Sequence, residues 1–147
     1  MSRLEQIWIK RVRRGPMDPA NRARLVAGRG IVGNANQRGK RQVTIVSNKH
    51  WEEVTAPLGD TPDPRLRRAN LLVSDVDFVD ARGKILKIGE VRIRIHGETR
   101  PCEQMEEAVP GLQKAMSIPW GGGAFGEVLD DGEIAVGDAV QLVTTPE

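Results

Sequence analysis

The sequence predicts a mainly β fold, a closed or nearly closed β-barrel of short, mostly antiparallel strands with two or three short helices. Three observations carry this expectation. Short apolar or alternating runs recur about every 8–12 residues, the spacing of a sandwich or barrel. The 16 Gly and 9 Pro fall largely between those runs, where they punctuate turns. No segment sustains the 3.6-residue helical period beyond about 12 residues. A chain of 147 residues suits one domain, 1–147, able to bury about two-thirds of its unfolded surface without metal or disulfide support.

Each element has its own signal in the chain. Residues 6–13 place Ile7 and Ile9 on one face and Trp8, Lys10 and Val12 on the other, a first strand ended by Gly15-Pro16. Met17-Asp18-Pro19 reads as a turn, 23–27 as a short strand, and 28–39 as a loop rich in glycine and asparagine. That loop lacks the Gly-Lys-Ser/Thr of a P-loop and the strand–helix setting of a dinucleotide fingerprint. Residues 41–47, with Val43, Thr44, Ile45 and Val46 in a row, form the strongest strand signal and suit the centre of a sheet. Ser47 or Asn48 can cap a short helix at 49–54, stopped by Pro57 and Gly59. Leu71 to Val73 is a short apolar strand with a basic approach, and a meander runs through 75–79, a turn at Ala81-Arg82-Gly83, and 84–88. Then Val91, Ile93 and Ile95 alternate with Arg92, Arg94 and His96, a half-buried strand that stops at Gly97. Residues 103–109 read as a helix closed by Pro110-Gly111, and 120–126 as a flexible loop. Short strands at 127–129, 133–136 and 139–143 complete the chain. Val43, Ile45, Leu71, Val73, Val91, Ile93, Ile95, Val136 and Val140 are the expected core.

Composition narrows the function classes. One cysteine excludes an internal disulfide and a Cys-rich zinc cluster, which fits a reducing, cytosolic compartment. No apolar run approaches the ~20 residues that span a bilayer, and the N-terminus lacks the apolar core of a secretory signal. The net charge of +2 hides an asymmetry: residues 1–50 carry 12 Lys/Arg against Glu5 and Asp18, and the remainder carries 10 against 18 acids. The basic third could meet nucleic acid, hold a phosphorylated small molecule, or pair with the acidic remainder. With three Trp, two Phe and no Tyr there is no aromatic platform for single-stranded bases, so nucleic acid is the weakest of these readings. His50 and His96 show no zinc spacing, and no serine has a G-x-S-x-G setting.

Cys102 is the residue on which the chemistry turns. It follows Glu98-Thr99-Arg100-Pro101 and stands at the head of the 103–109 helix. There a helix N-terminus and the Arg100 cation favour the thiolate, the form that attacks electrophiles, carries sulfane sulfur or binds a soft metal. A free cysteine is equally at home in a core, and position alone leaves both readings open.

Six motifs in order, RQVTIVS at 41–47, RRANLLV at 67–73, LKIG at 86–89, RPC at 100–102, GGAFGEV at 122–128 and GEIAVGD at 132–138, resemble a MOSC domain, the module at the C-terminus of molybdenum cofactor sulfurases and in amidoxime-reducing enzymes. The resemblance covers nearly the whole chain and implies a barrel of pyruvate-kinase-barrel-like form. It implies that Cys102 either ligates the molybdenum of a molybdopterin cofactor or carries sulfur as a persulfide. It also implies that Arg41, Arg68 and Asn70, with Arg100 and Cys102, line the cofactor site, where a planar guanidinium can hold a phosphate through two N–H bonds. Partners implied are a cysteine desulfurase or an electron-donor protein. Gly33-Asn34 stands where many relatives have Gly-Asp. A metal-free sulfur carrier and a basic nucleic-acid-binding module are the alternative readings.

Overall fold

The computed structural model describes residues 2–12, 15–35, 39–58, 68–99, 107, 110–116, 120 and 123–144. Its strands are β1 (Leu4–Lys10), β2 (Met17–Ala20), β3 (Arg22–Val26), β4 (Gly30–Ile31), β5 (Val43–Ser47), β6 (Leu71–Val73), β7 (Ile85–Ile88), β8 (Val91–Glu98), β9 (Ala124–Val128), β10 (Gly132–Ala135) and β11 (Val140–Val143). Helix α1 (Asn48–Thr55) runs into a 3-10 turn at Ala56–Leu58, and α2 is Leu112–Ala115. An eight-stranded sheet has the order β11-β7-β8-β9-β5-β6-β1-β2, and β10-β3-β4 form a second sheet. Among the described strands every pairing is antiparallel except β5 with β6.

Among the described residues the fold is therefore mainly β, with a mixed sheet and helices α1 and α2, and the ladders there do not close into a continuous barrel. β11 and β2 stand at opposite ends of the large sheet. The approach to β1 is nonetheless joined to that of β11 by an isolated bridge, Arg3 with Ala139. Around it the Leu4 N–H donates to the Asp138 carbonyl at 2.9 Å, Gly137 to Leu4 at 2.8 Å and Val140 to Ser2 at 3.0 Å.

Two cores flank the central strands. Ile7 and Ile9 of β1, Val43 and Ile45 of β5, and Leu71 and Val73 of β6 face the larger core, which takes in the inward residues of β7, β8 and β9 and reaches Ile134 and Leu25 of the small sheet. Their alternates Trp8, Val46 and Leu72 face a second core with Trp51 and Val54 of α1 and Leu112 of α2. A strand buried on both faces reads as a continuous apolar run, which is why β5 was the clearest signal in the sequence.

The structure corrects several expectations. Met17 to Pro19 is not a turn but lies in edge strand β2, where Pro19, which has no N–H to give, sits opposite Trp8 at a position an edge tolerates. β8 does not stop at Gly97 but continues to Glu98. The expected loop at 120–126 contains the first half of β9. Neither predicted cap works through its side chain on α1: Ser47 is the N-cap residue without a side-chain cap bond, and Asn48 Oδ1 accepts the Asp75 N–H at 3.3 Å. Val136 is 43% exposed beside the turn after β10, whereas the other eight expected core residues are buried. Of the helix expected at 103–109, Glu107 alone is described, as helical.

Candidate functional site

Cys102 and Arg100 lie outside the described residues; the strand that leads to them does not. β8 alternates with Val91, Ile93 and Ile95 in the core until its ladder with β9 shifts between Ile95 and Gly97. Such a bulge sets two residues against one and re-aims the side chains beyond it. Strict alternation would turn Glu98 outward with Arg92, Arg94 and His96. After the shift, Glu98 pairs with Ala124, which pairs with Ile45. Cross-strand partners share a face, and Ala124 and Ile45 are both core residues, so Glu98 is on the core-facing side. Its Oε1 accepts the Trp120 N–H at 3.3 Å. Thr99, buried, donates its N–H to the Gly123 carbonyl at 2.9 Å. Trp120 is buried too and has a φ of 62°, a left-handed backbone that non-glycine residues seldom adopt.

One polar group on the core-facing side of β5, which β9 separates from β8, lacks a hydrogen-bond partner. Ser47 follows Ile45 by two residues on β5, is 0% exposed, and its Oγ makes no hydrogen bond among the described residues. Buried hydroxyls are normally satisfied.

The second cluster gathers ahead of β5 and β6. Arg41 is exposed. Arg68 is half-buried, has a φ of 62°, and donates from Nη2 to the Gly15 carbonyl. Asn70 is buried, and its side chain is engaged four times. Oδ1 accepts from the Thr44 N–H and the Thr44 hydroxyl, both at 3.2 Å, and Nδ2 donates to the Trp8 carbonyl at 3.1 Å and to Asn34 Oδ1 at 3.0 Å. Asn34 Oδ1 also accepts the Lys10 N–H at 2.9 Å. Asn70 thus ties β1, β5, β6 and the glycine-rich loop together and fixes the backbone from which Arg68 projects. β5, β6 and β8 run in one direction; Arg41 and Arg68 precede the first two, and Cys102 comes after the third. No hydrogen bond or ion pair among the described residues joins either arginine to Glu98.

Other polar constellations hold the scaffold. Asp130 takes Arg92 in a fork, Nε to Oδ2 at 2.9 Å and Nη2 to Oδ1 at 3.0 Å, and accepts the Arg92 N–H at 3.0 Å. Those bonds from Arg92 hold its carboxyl below the usual aspartate value. The Val79 N–H, and then the nearby His50, lower Asp77 in the same way. His50 Nε2 accepts the Phe78 N–H at 3.1 Å, and His96 Nε2 meets Glu127 Oε1 at 3.1 Å. No group of three or more His, Cys, Asp and Glu able to hold a metal exists among the described residues, and none of the helices there is long and apolar enough to cross a membrane. A surface cleft of about 370 Å³, lined by Ser2, Lys87, Gly89, Ala139, Val140 and Gln141, includes none of the expected site residues.

A MOSC domain family model matches residues 22–141. The chain belongs to the MOSC domain family. The match bears out the resemblance drawn from the six motifs. Solved structures agree at the level of fold. The YuaD protein of Bacillus subtilis superposes with a TM-score of 0.84 at 19% identity, over 99% of this chain and 98% of that one. YiiM of Geobacillus stearothermophilus gives 0.72 at 16% identity, over 98% and 76%. YiiM of Escherichia coli gives 0.72 at 15%, over 99% and 71%. No curated protein matches the sequence.

For a molybdenum–pterin group, the donor set of this MOSC domain fits in kind. Arg41 and Arg68, just ahead of β5 and β6, supply cations for a phosphate, and the sequence supplies a single soft thiol beyond the far end of β8. The sequence did not reveal the unpartnered hydroxyl of Ser47 or the register shift before Glu98. Gly97 was the available signal, because a glycine within a strand often marks a bulge.

Proposed function

We propose that this MOSC domain binds a molybdenum–pterin cofactor with Cys102 as its thiolate ligand and reduces N-hydroxylated compounds. The observation that carries the reading is the family match over 22–141, which encloses the chain's single cysteine. When bound, the cofactor supplies two-electron chemistry at a soft metal centre; the electrons come from a donor protein. The chain's own residues do the rest. Cys102 must lose its proton to ligate, and Arg100, two residues before it, favours that loss. Arg41 and Arg68 hold the anionic end of the cofactor, and Asn70 keeps the Arg68 approach in place. A reducing cytosol would keep the thiol available.

Protein purified from a cofactor-competent host should carry molybdenum and pterin, and Cys102→Ser should lose the molybdenum while melting at the temperature of cofactor-free wild type. Wild-type protein without molybdenum or pterin, but heavier by one sulfur atom at Cys102, would replace this reading with that of a metal-free sulfur carrier served by a cysteine desulfurase. Steeply salt-dependent binding of nucleic acid, with neither modification, would favour the basic module instead.

A further inference from the structure

We propose that His50 is an acid-released clasp on the segment between β6 and β7: neutral, it holds the Phe78 N–H, and protonated, it gives up that bond for the Asp77 carboxylate. Two backbone donors tie the segment to α1. The Asp75 N–H reaches Asn48 Oδ1 at 3.3 Å, and the Phe78 N–H reaches His50 Nε2 at 3.1 Å. Val76, Phe78 and Ala81 are buried in the larger core, while Asp75 and Asp80, at φ of 54° and 60°, hold a left-handed backbone on either side of 76–79. Outside glycine such a backbone persists only where its surroundings enforce it, and the bonds to α1 are part of that enforcement.

One ring nitrogen of His50 faces two opposite demands. Nε2 lies 3.1 Å from a donor, the Phe78 N–H, and 3.3 Å from an acceptor, Asp77 Oδ1. It carries either a lone pair or a hydrogen, so it serves one of them at a time. Glu53 Oε2, 3.8 Å from Nδ1, favours the neutral tautomer with its hydrogen on Nδ1, which leaves the Nε2 lone pair for Phe78. Protonation puts a hydrogen on Nε2 as well. The Phe78 N–H then meets another N–H, and the imidazolium turns to Asp77.

The charges around the ring permit this exchange. Glu53 and Lys49 come from α1, and Asp77 from the segment itself. The Val79 N–H first, and then His50 and Lys49, hold the Asp77 carboxyl below its usual value, so it stays ionised through the range in which imidazoles titrate, about pH 8 to 5. Phe78 has no such substitute. The residue is 0% exposed, and a buried donor left without an acceptor favours opening of 75–80 to water. The clasp stands apart from the cofactor reading, since neither α1 nor 75–80 carries an expected site residue.

The test is backbone amide exchange of the full chain, followed residue by residue by NMR and expressed as protection factors. Between about pH 8 and about pH 5 the Phe78 amide should lose about tenfold or more in protection. The Trp8 amide, bonded to the Asn70 carbonyl at 2.7 Å, should lose none. His50→Gln, whose side-chain oxygen accepts an N–H at any pH, should keep Phe78 equally protected across the range. Asp77→Asn keeps an oxygen for the Val79 N–H but removes the charge that draws the imidazolium, so it should move the loss to lower pH. A flat wild-type profile for Phe78 overturns the proposal. So does a loss that Trp8 shares, one that persists in His50→Gln, or one whose midpoint Asp77→Asn leaves unchanged. Where His50→Gln fails to fold, the Asp77→Asn midpoint decides alone.

Discussion

Asn70 shows how a residue can matter to a site while spending its side chain on the fold. Both amide hydrogens and the carbonyl oxygen are engaged with Trp8, Asn34 and Thr44, so Asn70→Ala leaves several buried partners unmatched. An unmatched buried group costs about 1–3 kcal/mol, and urea unfolding of Asn70→Ala should show a loss of roughly 2–4 kcal/mol; a loss within experimental error would mean the network relaxes around the gap. Asn34 accepts through its oxygen, which an aspartate could also supply, and this is why Gly33-Asn34 can stand in place of Gly-Asp without dismantling the loop. Asp130 makes the pH prediction. Its folded-state pKa is depressed, so the stability it contributes is present above the ordinary aspartate value of about 3.9 and is lost as the pH falls through the lower folded-state value. Asp130→Asn should flatten that acid limb in melting experiments across pH 2–5, and unchanged curvature would deny the Arg92 fork its part.

At the scale of elements, β8 and β9 depend on how closely their backbones approach. A Cβ on Gly126 would collide with the Arg94 carbonyl oxygen, and one on Gly123 with that of Ile45. Gly126→Ala should therefore cost about 1–3 kcal/mol as overpacking, read as a lower denaturant midpoint with an unchanged slope; wild-type stability would show that the two strands can part. The same glycines explain what the sequence concealed. β5 was legible because Val43, Thr44, Ile45 and Val46 prefer the extended backbone themselves, whereas 120–126, which includes the start of β9, read as a loop because its strand character comes from partners far away in sequence. Cys102 stands out as the single thiol, and it lies outside the described residues. Glu98 and Ser47 were not legible, because one depends on a register shift and the other on a missing partner, and both are properties of pairing rather than of residue type.

For the whole molecule, the second core makes α1 more than a connection. Trp51 is 1% exposed and packs with Trp8, Val46 and Leu72 on the face of the sheet opposite the larger core. Trp51→Ala should cost about 3–5 kcal/mol in equilibrium unfolding, while a loss below about 1 kcal/mol would mean the helix caps the sheet without helping to hold it. The seam between the start of β1 and residues 137–140 has a consequence for biogenesis. A ribosome delivers β1 first and its seam partners last, so Ser2, Arg3 and Leu4 can complete their bonds to Asp138, Ala139 and Val140 only after nearly every other strand has emerged. The nascent chain must therefore keep Ile7, Trp8 and Ile9 from straying for most of its synthesis. The Pro19-bearing edge of β2, which can pair with β1 almost at once, offers an early local partner that shields them from other chains during that wait.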